Sequence, residues 1–255
     1  MKKFLYILLF FNFPYNFIFS QLPKDIDIQW VEIPGGSFNM GSPTSEVGRD
    51  IDEKQHEVTI SSFLVSKFEV TYDQYMYFCK LTKRKKPDSE GLKKGNYPIV
   101  NVDWNDATAF AEWLGVRLLT EAEWEYTCRA GTVTPFFFGD VITSEQVNFD
   151  GNYPYNHTPK CTSKGETMPV GSYAPNKWGV YDMHGNVWEW VSDWYASYNL
   201  DNSANPKGPL ESKFERIGRG GSFYEGANEN RCADRGAQSV NVSGMNLGFR
   251  VAKNL

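Results

Sequence analysis

Apolar residues recur with a helical period at only a few places along this chain. Thr71 and Gln74 form a T-x-x-Q capping box, after which Tyr75, Phe78 and Cys79 share one face, so a helix is expected from about Tyr72 to Leu81. The clearest amphipathic stretch comes next. With Asn105 or a neighbour as cap, Ala107, Phe110, Ala111 and Leu114 fall at i, i+3, i+4 and i+7, and Gly115 is the stop. Thr120-Glu121-Ala122-Glu123 is a second capping box, opening a short helix through about Arg129 that ends near Gly131. Strand candidates are shorter: Gln29 to Ile33, Phe38 to Met40, His56 to Ile60, Phe63 to Phe68 and Gly185 to Val191. Gly, Pro, Asn and Asp punctuate the rest too often for long elements, so the expected class is α+β and irregular. The lysine-rich run from Lys80 to Lys94 is interrupted by Pro87, Asp88 and Glu90 and reads as a solvated loop. The stretch from Asp140 to Thr167 has no periodicity, and a loop of that length needs a tie, such as a metal or a disulfide.

Composition places most of this chain in one soluble domain. Of 255 residues, 41% are hydrophobic, 16% aromatic and 22% charged, which is far from the signature of disorder. The net charge of -5 removes any general attraction to phosphate backbones, so nucleic acid is not an expected partner. Residues 1–20 have another character. Lys2 and Lys3 precede the apolar run Phe4 to Phe11, and Ser20 stands before Gln21, as in a cleavable export signal. A membrane anchor is the alternative, opposed by Asn12, Pro14 and Asn16. No later segment is apolar enough to span a bilayer once the signal is removed. Cys79, Cys128, Cys161 and Cys232 permit disulfides in an oxidising compartment, and the sequence does not choose among their pairings. No C-x-x-C, phosphate-binding P-loop, dinucleotide fingerprint or G-x-S-x-G elbow is present. The histidines, His56, His157 and His184, are scattered, which disfavours a three-histidine metal site.

Several ordered segments together carry a resemblance. They include Pro34 to Ser42, Phe68-Glu69-Val70-Thr71, Pro98 to Trp104, Arg117 to Glu125, Pro169 to Ser172, Gly179 to Trp190, Arg219-Gly220-Gly221-Ser222-Phe223 and Gly248-Phe249-Arg250. In these the chain resembles the formylglycine-generating enzyme family, also called sulfatase-modifying factors, over residues 28–253. The resemblance implies a C-type-lectin-like fold with low regular secondary structure, in agreement with the irregular α+β pattern. It also implies oxidation of a cysteine in a protein substrate by oxygen and copper(I), held by two cysteines after the R-G-G-S segment. Here Glu225 and Asn230 occupy those two positions. Copper(I) is soft and prefers thiolates, so these hard oxygen donors make copper unexpected. Cys232 is similar to a structural cysteine of the family, and Val251 stands where the family partner of Cys128 is found.

The family also binds calcium. The resemblance assigns ligands to Asp182, the carbonyls of Gly185 and Val187, and Glu189, with Asn148 and Phe149 opening a second site. The alternative at 182–189 is a turn and strand in which Trp188 and Trp190 simply pack. A cleft near Trp188, Ser222, Glu225, Asn230 and Arg235 is the candidate place for a protein or peptide ligand. Against that, Arg219 to Ser222 suits a close backbone approach, and Arg235 and Arg250 suit ion pairs inside the fold. Most of the eight Trp and fourteen Tyr are expected in the core. The leading expectation is an exported, calcium-stabilised binding module, with a cell-envelope assembly as a possible setting. The alternative is an oxidase of the formylglycine-generating type or one with a rearranged site.

Overall fold

The computed structural model describes residues 26–201, 203–209, 211 and 214–255, so the expected export signal lies outside the described residues. Three helices form where the capping boxes start them. Helix α1 spans Tyr72–Thr82 behind Thr71, α2 spans Trp104–Leu114 behind Asp103, and α3 spans Glu121–Arg129 behind Thr120, each with the reciprocal box closed. Gly115 ends α2 in the left-handed conformation, whereas α3 ends one residue before Gly131, at Ala130 with φ 45°.

Among the described residues, nine short strands complete the framework. Strands β1 (Trp30–Ile33), β4 (Phe63–Ser66) and β9 (Ala252–Asn254) make one antiparallel sheet, and β2 (Gly36–Met40) pairs with β3 (His56–Ile60). The third sheet has the order β7-β6-β5-β8, from Gly236–Ser239, Glu215–Arg219, Trp188–Trp194 and Leu247–Phe249, with β5 and β8 parallel. The strand expected over Gly185 to Val191 therefore begins later. Gly185 and Asn186 have φ of 70° and 61°, which extended backbone cannot adopt, and their N–H groups donate to Gly220 and Asn148 carbonyls rather than to a ladder. Strands β6 to β9 went unanticipated because they hold three to five residues and pair with distant partners, as β9 does with β4.

Two main cores flank the third sheet. One packs α1 and α2 against β5 and β8 through Tyr75, Phe78, Phe110, Leu114, Trp190 and Phe249. The other surrounds α3 with Ile33, Val58, Val65, Val191 and Ile217. The long 140–167 stretch builds a third, small core from Ile142, Val147, Phe149 and Tyr155 with Phe136 and Ala227, and the Cys161 N–H closes it onto the Gly151 carbonyl. Lys80 to Thr82 belong to α1, and the rest of the lysine-rich run to Lys94 is a largely exposed loop, as its composition suggests. Among the described residues, no helix is long and apolar enough to cross a membrane.

Candidate functional site

The segment after β6 turns sharply at Gly220 and Gly221, with φ of 97° and 69°. A Cβ on Gly221 would lie 2.6 Å from the Asn230 side chain, so glycine is needed here both for the turn and for the approach of the following 3-10 turn, Asn228–Asn230. The turn delivers Ser222 to a small polar cluster. Its hydroxyl donates to Glu225 Oε2 and accepts the Tyr224 N–H at 3.1 Å, while Asn246 Nδ2 donates to Ser222 Oγ at 3.3 Å and to Glu225 Oε1 at 3.2 Å. Trp188 is tied to the same place, because its N–H donates to the Asn246 carbonyl at 2.8 Å. Tyr224 is 71% exposed beside it, whereas Ser222 is fully buried.

Asn230 forms the floor. It is fully buried, donates from Nδ2 to the Gly226 carbonyl at 2.5 Å, and leaves Oδ1 without a partner. Its own carbonyl accepts from His184 Nδ1 at 2.7 Å, and His184 Nε2 accepts the Phe137 N–H at 3.1 Å. Both bonds require the neutral ring with its proton on Nδ1, so neither nitrogen lone pair is free. Beneath lie two thiols: Cys128 Sγ is 3.3 Å from Cys232 Sγ, and 3.7 Å from His184 Nε2. Burial pushes the Cys128 thiol well up. Cys128 thus has Cys232 as its sulfur neighbour.

Of the five residues assigned to a ligand cleft, Trp188, Ser222, Glu225 and Asn230 are brought together and Arg235 is not. Arg235 pairs with Glu121 through two hydrogen bonds of 2.7 and 3.0 Å, reaches Asp52 at 3.3 Å, and lies over the Tyr198 ring at 4.1 Å, beside a separate cavity of about 160 Å³. The internal ion-pair alternative describes it. The same holds for Arg250, which grips Glu189 at 2.6 and 2.7 Å. Asn246, His184 and the Cys128–Cys232 contact were missed, since each depends on residues distant in sequence. Only the position of Cys232 near Asn230 hinted at any of them.

Of the donors assigned to calcium, Glu189 is committed to other partners. Both Glu189 oxygens are taken by Arg250, and Trp124 Nε1 adds a third donor at 2.8 Å, so a fully compensated carboxylate faces a guanidinium rather than a metal. Asp182 Oδ2 accepts the Gly171 N–H at 2.6 Å, and burial pushes its carboxyl up to about 6. Burial, with the charges of Asp182 and Glu189, also raises Glu69, which accepts both its bonds from Asn186. Gly185 sits against the Asn148 carbonyl in a tight turn, and Val187 and Phe149 are core residues. Asn148 Oδ1 is buried without a partner. For copper(I), Glu225 and Asn230 offer oxygen to a soft ion, which does not fit either.

The sulfatase-modifying factor enzyme 1-like domain matches residues 19–255. The chain belongs to the sulfatase-modifying factor family. The formylglycine-generating enzyme of Mus musculus is 31% identical over 87% of this chain and 74% of that protein. An inactive C-alpha-formylglycine-generating enzyme 2 of Bos taurus is 27% identical over 88% of each. The structure of PvdO from Pseudomonas aeruginosa is 34% identical, covers 89% of this chain and 94% of that one, and superposes with a TM-score of 0.77. The irregular α+β arrangement is therefore this family's fold.

Proposed function

We propose that this member of the sulfatase-modifying factor family binds a protein or peptide segment at the Ser222–Glu225–Asn246 cluster and does not oxidise cysteine through a copper dithiolate. The observation that carries this reading is Glu225. At a position where the resemblance calls for a thiolate, a carboxylate is held by the Ser222 hydroxyl and the Asn246 amide. Such a cluster suits an amide-bearing ligand: a carboxylate accepts from a peptide N–H, an Asn side chain both donates and accepts, and the exposed Tyr224 ring supplies apolar contact. Export of the chain belongs to the same reading, as does work in a cell-envelope setting.

The test has two parts. Purified protein is loaded with copper(I), given oxygen and a cysteine-containing sulfatase-type peptide, and the peptide mass is followed. Unchanged mass is expected, together with peptide binding that Glu225→Gln weakens. Aldehyde formation with stoichiometric copper would overturn the reading in favour of the oxidase that the 31% identical mouse enzyme suggests. An intact Met1 in the cell envelope, instead of a mature terminus near Gln21, would replace export by anchoring.

A further inference from the structure

We propose that the cavity between α3 and the segment after β5, walled in part by Asp193, Tyr198 and Arg235, binds a small organic ammonium compound whose apolar body is the size of one six-membered ring. The cavity encloses about 160 Å³. An engineered protein cavity of about 150 Å³ holds benzene, which sets the size of the occupant. None of its lining residues belongs to the cluster of Ser222, Glu225 and Asn246, so the proposal goes beyond the peptide-binding reading and does not rest on it.

The walls are of two kinds. Met40, Ala122, Trp194 and Pro206 supply apolar surface, whereas Asp193 and Tyr198 bring polar atoms that the fold leaves unsatisfied. The Tyr198 hydroxyl is buried without a partner. Asp193 is 3% exposed and accepts the Glu121 N–H at 3.0 Å and the Ser192 hydroxyl at 2.9 Å, both through Oδ2; among the described residues nothing donates to Oδ1. Unpaired buried polar atoms are costly, and a ligand with several N–H donors and an apolar body satisfies both oxygens and the walls together. Water is the rival occupant. It can bond the two oxygens, but it leaves the apolar walls without dispersion partners.

Charge selects a cation over an anion. Arg235 has no N–H to spare for a carboxylate or phosphate: Nε and Nη2 donate to Glu121 at 2.7 and 3.0 Å, Nη2 also to the Ala196 carbonyl at 2.9 Å, and Nη1 to the carbonyl and carboxylate of Asp52, each at 3.3 Å. Asp193, by contrast, has acceptor capacity in reserve. The charged groups that act on it are Glu121 and Glu123 from α3 and Arg216 from β6, and burial followed by the Glu121 charge pushes its carboxyl up to about 7. An ammonium ion at Oδ1 takes the place of that proton.

The test is calorimetric titration of the folded full-length protein with three probes of one size and different charge: benzylamine as the ammonium ion, benzyl alcohol as the neutral analogue and benzoate as the anion. Benzylamine is expected to bind with a Kd on the order of 1 mM or below, benzyl alcohol about tenfold more weakly, and benzoate not at all. Because the ion displaces the Asp193 proton, benzylamine affinity is expected to rise between about pH 6 and about pH 8 and to level off above the Asp193 titration near 7. Asp193→Asn is expected to weaken benzylamine about tenfold and to flatten that rise, which separates Asp193 from His56, another residue of the wall. Tyr198→Phe keeps the ring and is expected to weaken binding about threefold, an independent reading of the site should the Asp193 variant fail to fold. Benzyl alcohol or benzoate binding as tightly as benzylamine, no benzylamine binding at about 10 mM, or an affinity unchanged in either folded variant would overturn the proposal.

Discussion

The two main cores are built from opposite materials. Around α1 and α2 the interior is aromatic and aliphatic, with Tyr75, Phe78, Phe110 and Phe249 linked by ring contacts of 5.3 to 6.2 Å, most of them edge-to-face. Around α3 the helix itself is buried on every side, including Glu121, Glu123, Glu125 and Arg129. Glu125 accepts from the Gly41 N–H at 2.9 Å, from Arg129 at 2.8 Å and from Arg219 at 2.6 Å, so one carboxylate joins β2, α3 and β6. Arg219 in turn donates to the Cys232 and Ala233 carbonyls at 2.9 and 2.8 Å and holds the loop behind the candidate site. Greasy packing gives the first core its stability without direction. Buried ion pairs give the second a set of fixed lengths and angles, and it is this second core that positions Ser222 and Asn230.

The contrast can be broken most sharply at Arg219. Arg219→Met removes the nearer cation from Glu125, which keeps Arg129 and the Gly41 N–H, and takes a donor from the Cys232 and Ala233 carbonyls; breaking this buried pair is expected to cost about 3–5 kcal/mol in urea unfolding. Next in size is pH. Asp193, on β5, is pushed up to about 7 by burial and then by the Glu121 charge, with Glu123 adding to the rise and the Glu121 N–H and Ser192 hydroxyl opposing it. Arg216 is the cation facing it. The folded state then holds a proton that the unfolded chain releases near pH 4. This contribution is complete below that pH and is lost, at up to about 1.4 kcal/mol per pH unit, as pH rises from about 4 to 7. The slope should become shallower in Asp193→Asn, with the raised Asp182 and Glu69 carboxyls keeping the remainder; an unchanged slope would place the titration elsewhere.

In the aromatic core the matching change should be milder. Phe110→Leu keeps the region apolar and is expected to cost less than about 1.5–2 kcal/mol, because neighbouring rings can relax. If it equals Arg219→Met, the two interiors do not differ in tolerance. Helix caps offer a control that ignores the contrast: Thr71→Ala and Thr120→Ala should each cost about 1 kcal/mol, since both remove the same local bond. The smallest expected effect is that of calcium. With Glu189 committed to Arg250, chelator should leave Tm unchanged, and a calcium-dependent rise of about 2.7 kcal/mol at a hundredfold excess over Kd would restore the cage that the motifs implied.

The candidate site was half legible in the residues. Ser222, Glu225 and Asn230 were found because one contiguous motif, Arg219 to Ser222, fixes their offsets. Trp188 lies with them through a backbone bond to Asn246 that no local pattern marks. Arg235, only a few positions on, was misplaced because the chain turns away after Asp234 and takes the guanidinium to Glu121. Glu189 had the spacing of a ligand and the surroundings of an ion-pair partner, and its surroundings are set by Arg250, 61 positions away.

What the sequence determined alone was everything governed by a few neighbouring residues: three capped helices, the period that faces α1 and α2 inward, the glycines that permit a turn at 220–221, and membership in a family. Tertiary structure decided which charges are core, which thiols meet, and which polar groups converge on Ser222. The physical reason is range. Capping bonds and side-chain periodicity act over four to seven residues and leave a mark in composition, whereas a buried carboxylate takes its meaning from a partner brought in by the fold, and nothing in its own neighbourhood announces which one.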